Sequence, residues 1–164
     1  MTYPKNVSDN ITFKEATKSR KAIALGIDNL PDEDQLANMI LVAENVFQPL
    51  REHYGWAIGI TSFFRADLVN KAVGGATYSK HKRGQAIDID ADVYEQTFED
   101  ACEFTNKMIF DWIVANCEFD TIIWEYGTDE EPAWVHVTYV EGNNRKRKLQ
   151  VTRDKNGKAH YTNY

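Results

Sequence analysis

The sequence predicts an α+β fold: a single domain in which helices pack on a central, mostly antiparallel sheet. Helical and strand-type patterns are mixed along the chain without the strand–helix–strand rhythm of a parallel sheet. Several strand-type segments are short and paired across turn signals, and Asn156-Gly157 between Leu149–Arg153 and Ala159–Thr162 is the strongest of these. The 164 residues are 43% hydrophobic and 27% charged, enough for one core and unlike a disordered chain.

The elements follow in order. Thr12-Phe13-Lys14-Glu15 reads as a capping box that opens a helix from Phe13 to about Ala24, with Gly26 as its stop. Pro31-Asp32-Glu33-Asp34 opens a second helix, with acidic residues where the helix dipole favours them. Leu36, Ile40, Ala43, Phe47 and Leu50 form its apolar stripe, and Pro49 should kink or loosen the last turn before Gly55. Trp56 to Phe63 alternates as a strand, with Ile58, Ile60 and Ser62 on one face. A loop from Arg65 to Gly75 has room for a helical turn over Asp67–Lys71. Gln85 to Asp90 is a strand, and Thr97-Phe98-Glu99-Asp100 opens a long helix to about Asn116, with Phe98, Ala101, Cys102, Met108, Ile109, Trp112 and Ile113 on its apolar face. Thr121–Tyr126 and Trp134–Val140 are strands joined by the acidic loop Gly127–Pro132. No internal repeat or linker interrupts residues 1–164.

Composition excludes several roles. The formal net charge of −6 disfavours non-specific nucleic-acid binding, and no apolar run approaches the roughly 20 residues of a membrane span. The polar segment Met1–Asn10 has no signal-peptide core, so synthesis in the cytoplasm is expected. Cys102 and Cys117 fall near the two ends of the predicted helix, about 22 Å apart at the helical rise, too far for a disulfide. Arg145-Lys146-Arg147-Lys148 reads as a solvated hairpin edge, His53 and His160 as surface histidines, and Trp56, Trp112 and Trp124 as core or cleft wall.

The chemistry concentrates between Ser79 and Asp88. His81 and Asp88 flank Gly84, which lets the chain bend so that the imidazole faces the carboxylate across a turn. In Ala86-Ile87-Asp88-Ile89-Asp90, alternation puts Ala86, Asp88 and Asp90 on one face and the isoleucines on the other. Trp134, His136 and Thr138 share a face of the later strand. A His–Asp pair also occurs as a plain surface hydrogen bond, and a strand histidine as a satisfied half-buried one. Two imidazoles and one carboxylate are nonetheless a ligand set for a catalytic zinc with an open fourth position.

Ser79-x-His81-x-x-Gly84-x-Ala86-x-Asp88 followed by Trp134-x-His136 resembles the zinc peptidases that include the D-Ala-D-Ala carboxypeptidases, peptidase family M15. Phe13–Ala22, Pro49-Leu50-Arg51, Ser62-Phe63-Phe64-Arg65, Asn70–Gly75 and Trp124-Glu125 resemble its phage and bacterial branch, so the likeness spans about Ile11 to Tyr139 and leaves residues 140–164 as a C-terminal β-hairpin extension. The resemblance implies a hedgehog/DD-peptidase-like fold and one Zn2+ per chain, held by His81, Asp88 and His136. It implies that Arg65 holds a substrate carboxylate or carbonyl oxygen, as its guanidinium fork suits. Ser79 and Trp134 are expected at the substrate, although a turn serine in Ser79's place would need no such role.

Many members of that family carry an acid or histidine two or three residues before the last ligand, where this chain has Trp134 and Ala133. Glu125 is expected to replace it as general base. In a symmetric hairpin it would lie opposite His136, where paired Cβ atoms are about 4.5–5.5 Å apart. Glu131, on the acidic loop, is the alternative. The implied activity is zinc-dependent hydrolysis of an amide bond in a peptidoglycan stem peptide, at the D-Ala-D-Ala end or within the stem. The protein would be a monomer, without nucleic-acid partner or membrane insertion. As phage-type lytic machinery it would reach the cell wall after release or export. A non-catalytic zinc-containing binding module is the competing expectation, since hedgehog domains resemble this fold and act as ligands.

Overall fold

The computed structural model describes residues 2–94 and 104–164. The chain opens with a small antiparallel pair, β1 (Asn6–Ser8) and β2 (Ile11–Thr12), and enters α1 (Phe13–Ala16), whose first turn is capped by the Thr12 hydroxyl accepting from the Glu15 N–H. The single helix expected over Phe13–Ala24 is in fact two. Ser19 takes an extended conformation and accepts from the Ala22 N–H, which starts α2 (Arg20–Leu25), and Gly26 ends it in the left-handed region. A second N-cap inside a helical pattern offers the backbone a way out of the helix, and here it is taken.

Asp32 and Gln35 form a full capping box at the start of α3 (Glu33–Val42). The helix continues through a π-helical turn, Ala43–Phe47, in which the Gln48 N–H donates to the Ala43 carbonyl, and then becomes α4 (Gln48–Tyr54). This widened turn answers the expected effect of Pro49, whose missing N–H and bulky ring disturb the hydrogen bonds one turn back. The apolar stripe is still buried: Ala43, Phe47 and Leu50 are at most 1% exposed.

Six strands build the main sheet among the described residues, in the order β3 (Gly59–Ser62), β4 (Ala86–Asp90), β6 (Trp134–Thr138), β5 (Thr121–Glu125), β7 (Arg147–Arg153) and β8 (Ala159–Asn163). Every neighbouring pair is antiparallel except β5 with β7. The fold is therefore α+β on a mixed, mostly antiparallel sheet. β3 is shorter than the strand expected from Trp56. The β7–β8 hairpin sits where Asn156-Gly157 predicts it and extends the same sheet. β7 is an inner strand, so Arg147 and Lys148 are not at its edge. Arg145 is paired with the buried Asp120, Nε to Oδ1 at 2.5 Å.

The two faces of the sheet differ as the alternation requires. Ile87, Ile89, Val135, Val137, Ile122 and Trp124 are completely buried and pack with α3 and α6 (Asn106–Asn116). Each such aliphatic side chain contributes about 1.5–3 kcal/mol of burial. The register brings Ile87, Val137 and Ile122 side by side, and likewise Ile89, Val135 and Trp124. The opposite face carries Asp88, His136 and Glu125. The helix expected from Thr97 begins at Asn106 among the described residues, because Thr105 is extended and caps it through the Met108 N–H. The predicted opening motif and Cys102 lie outside the described residues. Cys117 at the far end is a buried free thiol, pushed up to about 11 by burial.

Candidate metal and catalytic site

Asp88 and His136 are direct partners across the β4–β6 ladder, so one rung presents a carboxylate and an imidazole side by side. His136 Nδ1 lies 2.7 Å from Asp88 Oδ1. The third member arrives from the turn before β4. Lys80–Arg83 form a 3-10 turn, and Gly84 reverses the chain with φ 67°, where a Cβ would also collide with the Gln35 carbonyl oxygen. The turn swings His81 back over the strand, 3.2 Å from Asp88 Oδ2 through Nε2. One ligand atom from each of His81, Asp88 and His136 falls within 4.8 Å of the others, and the group could hold a metal ion.

The proton positions at His81 favour a cation there. Its ring is 1% exposed, and Nδ1 sits 2.6 Å from the Phe63 carbonyl oxygen, which can only accept. Nδ1 therefore carries the proton and donates. Burial pulls the His81 pKa below its ordinary value, which leaves Nε2 as an unprotonated lone pair. That nitrogen is buried without a hydrogen-bond partner and points at Asp88. Burial alone would raise the Asp88 carboxyl, but hydrogen bonding, with His136 Nδ1 at 2.7 Å from Oδ1, holds the group well below the usual carboxylate range. A lone pair facing a carboxylate is repulsive until a cation lies between them. Two nitrogens and one oxygen suit zinc.

Arg65 leaves β3 toward the same point, with Nη2 3.7 Å from Asp88 Oδ2. Its loop is fixed from below. Asn29, buried beside Pro31, accepts from the Ala66 N–H at 2.7 Å and donates to the Thr17 and Phe64 carbonyls at 2.8 and 3.0 Å. The Arg65 N–H donates to the His81 carbonyl at 3.3 Å, which ties the arginine and the first histidine to one framework. Burial lowers the Arg65 pKa against the opposing pull of Asp88 and Glu125, and its Nε has no partner. A forked donor held in this way is ready for an oxygen ligand.

Glu125 stands on the His136 face but not opposite it. The ladder pairs Glu125 with Trp134 and Ile123 with His136, two residues away from the symmetric register. Tyr126 and Gly127, with φ of 54° and 72°, turn the chain immediately after Glu125, and the Ala133 N–H donates to the Glu125 carbonyl at 2.9 Å. A shift of two preserves the face, so Glu125 becomes a diagonal neighbour of His136 at about 7–8 Å between backbones, within reach of side chains. Burial raises its pKa to about 7, with His136 pulling it down and Asp88 pushing it up.

Trp134 packs beside this carboxylate with its ring 5.3 Å from that of Tyr126, over which Arg153 lies at 4.4 Å. Glu131 is placed elsewhere. Its Oε1 accepts from the Asn106 and Lys107 N–H groups at 2.5 and 3.2 Å, so it caps α6 rather than moving freely on an acidic loop. Ser79 precedes the 3-10 turn and makes no side-chain cap bond.

Sequence reasoning overlooked Asn29, Tyr126, Arg153 and Asn106. Asn106, 1% exposed, bonds the Ala91 N–H, Asp90 and the Ala133 carbonyl, and so joins α6 to β4 and to the residue before Trp134. No spacing marks Asn29, Asn106 or Arg153 in the chain. The Tyr126-Gly127 pair at a strand end was the one usable signal. His53 and His160 are exposed, as expected, against Trp112 and Asp154 respectively.

With this geometry in place, the comparison with known families is decisive: residues 9–138 match the family described as peptidase M15. The chain belongs to the peptidase M15 family. The match takes in the Arg65 loop, the His81 turn and both strands that carry Asp88 and His136, and it ends before the β7–β8 hairpin. No curated protein matches the chain. The His81–Asp88–His136 group lies within the matched residues and could hold a metal ion.

Proposed function

We propose that this protein is a zinc peptidase that hydrolyses an amide bond in peptidoglycan stem peptides, as a D-Ala-D-Ala carboxypeptidase or as an endopeptidase within the stem. The observation that carries the reading is the buried, unpartnered Nε2 of His81 facing Asp88 beside His136. His81, Asp88 and His136 would hold the ion. When bound, zinc supplies Lewis acidity and acidifies the attacking water.

The remaining work falls to this chain's own groups. A Glu125 carboxylate oxygen takes the proton from the water and returns it to the leaving amine nitrogen. Its carboxyl, raised to about 7, is matched to proton transfer near neutral pH. Arg65 donates to the substrate's carbonyl oxygen or terminal carboxylate and so stabilises charge that grows during attack. The Phe63 carbonyl keeps the His81 Nδ1 proton in place, which fixes the tautomer offered to the metal. Ser79 and Trp134 are proposed as substrate contacts at the two ends of this arrangement. The setting we propose is lytic or remodelling activity on the cell wall.

The test is metal content of the purified protein beside a His81→Ala variant, with D-Ala release from a stem pentapeptide assayed on the same samples. One zinc per chain, lost in the variant together with hydrolysis, is the expected result. Absence of zinc after reconstitution would sink the proposal. Zinc without hydrolysis of either the pentapeptide or intact peptidoglycan would favour the non-catalytic binding module.

A further inference from the structure

A cavity of about 670 Å³ is lined by Arg65 and by both charged and apolar side chains. Ser62, the strand partner of Asp88, and Arg65, which reaches Asp88 at 3.7 Å, both line it, so the cavity adjoins the candidate metal site. Its lining includes Lys18, Arg20 and Lys21, all exposed, with Glu15 as the acidic group among them. Val73 and Tyr94, 45% and 42% exposed, also line the cavity. A volume of this order fits a short peptide rather than a single small ion.

The three cations, Lys18, Arg20 and Lys21, lack a charge partner among the described residues, in a protein whose formal net charge is −6. Arg20 and Lys21 occupy the first turn of α2, which has no acidic residue, so both stand against the helix dipole. A local rule broken without a compensating contact points to a ligand rather than to folding.

We infer that this groove reads a carboxylate on the substrate peptide at a residue beyond the bond that is cut, with Lys18, Arg20 and Lys21 as the reading residues and Val73 and Tyr94 covering a small apolar neighbour. The inference rests on the proposed peptidase function and specifies its substrate class: an acidic peptide with small apolar side chains next to the charge. Arg65 serves the reacting end, and the three outer cations serve the distal charge.

Two synthetic stem peptides that differ only by a side carboxylate or its carboxamide test this. Binding is read by fluorescence anisotropy on zinc-loaded full-length Glu125→Gln protein, and KM and kcat on the zinc-loaded wild type. The comparison variant is Lys18→Glu/Arg20→Glu/Lys21→Glu, in each background. Its acidic residues suit the α2 N-terminus, so it should fold. The carboxylate peptide should bind about tenfold more tightly than the carboxamide, the sum of three exposed charge contacts, and the triple variant should lose that preference through KM with kcat unchanged. Equal binding of the two peptides, or a preference that survives in the triple variant, would overturn the inference. Discrimination in binding without turnover would leave the groove assignment standing and remove the hydrolase reading. Turnover without discrimination would do the reverse.

Discussion

The turn that carries His81 and the hairpin that carries His136 and Glu125 reach one face of the sheet by different physics. The turn is fixed locally: a 3-10 turn, a glycine at φ 67° and a strand that starts at Ala86 place His81 over Asp88 within ten residues. The hairpin is fixed by its ladder and by two left-handed residues at its bend, and its register lies two residues from the symmetric one. His81 is sealed in at 1% side-chain exposure, with Nδ1 tied to the main chain. His136 remains 15% exposed and is tied to Asp88. Position within a turn is thus encoded by short-range chemistry, whereas position across a ladder depends on loop geometry that hydrophobic patterning does not specify.

The largest effect belongs to the hairpin. Glu125→Gln should lower kcat by about 10²–10⁴-fold while the zinc stoichiometry stays at that of the wild type. The comparison breaks if activity survives, because Glu125 would then be a buried strand carboxylate with no part in proton transfer. Steady-state kinetics and metal analysis on the same preparation decide it.

The turn is challenged next. Gly84→Ala places a Cβ at a positive φ and against the Gln35 carbonyl oxygen, so α3 or the turn must move. A loss of about 2–3 kcal/mol in urea unfolding is expected, with weaker metal binding because His81 is displaced. Unchanged stability would mean that the turn is not the rigid element described above.

This contrast explains what was legible in the chain. The α+β class, the Asn156-Gly157 hairpin and the His81–Gly84–Asp88 arrangement follow from turn residues and alternation, which act over a few positions. The split between α1 and α2 was missed because Ser19 competes with the helix as a cap, and summed helical pattern hides such a local choice. Asn29 was invisible for another reason. Its three hydrogen bonds join segments as far as 37 residues apart, and no spacing announces them. The face of Glu125 was predictable from a period of two, but its partner was not.

A smaller effect concerns pH. Burial lifts the Glu125 carboxyl from 4.5 to about 7, so the folded state binds this proton more tightly than the unfolded chain does. For this group the sign is unambiguous: metal-free stability falls as pH rises from about 4.5 to about 7, by at most about 3 kcal/mol, and then levels. Glu125→Gln removes that component. Urea unfolding of both proteins in chelator at pH 5 and pH 8 should show wild type losing stability relative to the variant at the higher pH. A constant difference between them would contradict the buried, raised carboxyl. Activity should move in the opposite direction, rising through about pH 7 as the base ionises.

The smallest effect separates the two acidic candidates of the hairpin. Glu131 accepts from the first two N–H groups of α6, where a negative charge is favoured, and that helix packs against the core face of the sheet. Glu131→Gln should therefore cost about 1 kcal/mol in unfolding free energy and leave kcat near the wild-type value. Glu125→Gln should show the opposite pattern, with a large fall in kcat and, at pH 8, no loss of stability. If Glu131→Gln lowered kcat by more than about tenfold with normal stability, the roles of the two glutamates would have to be exchanged. The bend at Tyr126 and Gly127 would then bring the loop to the metal, rather than holding it on the helix.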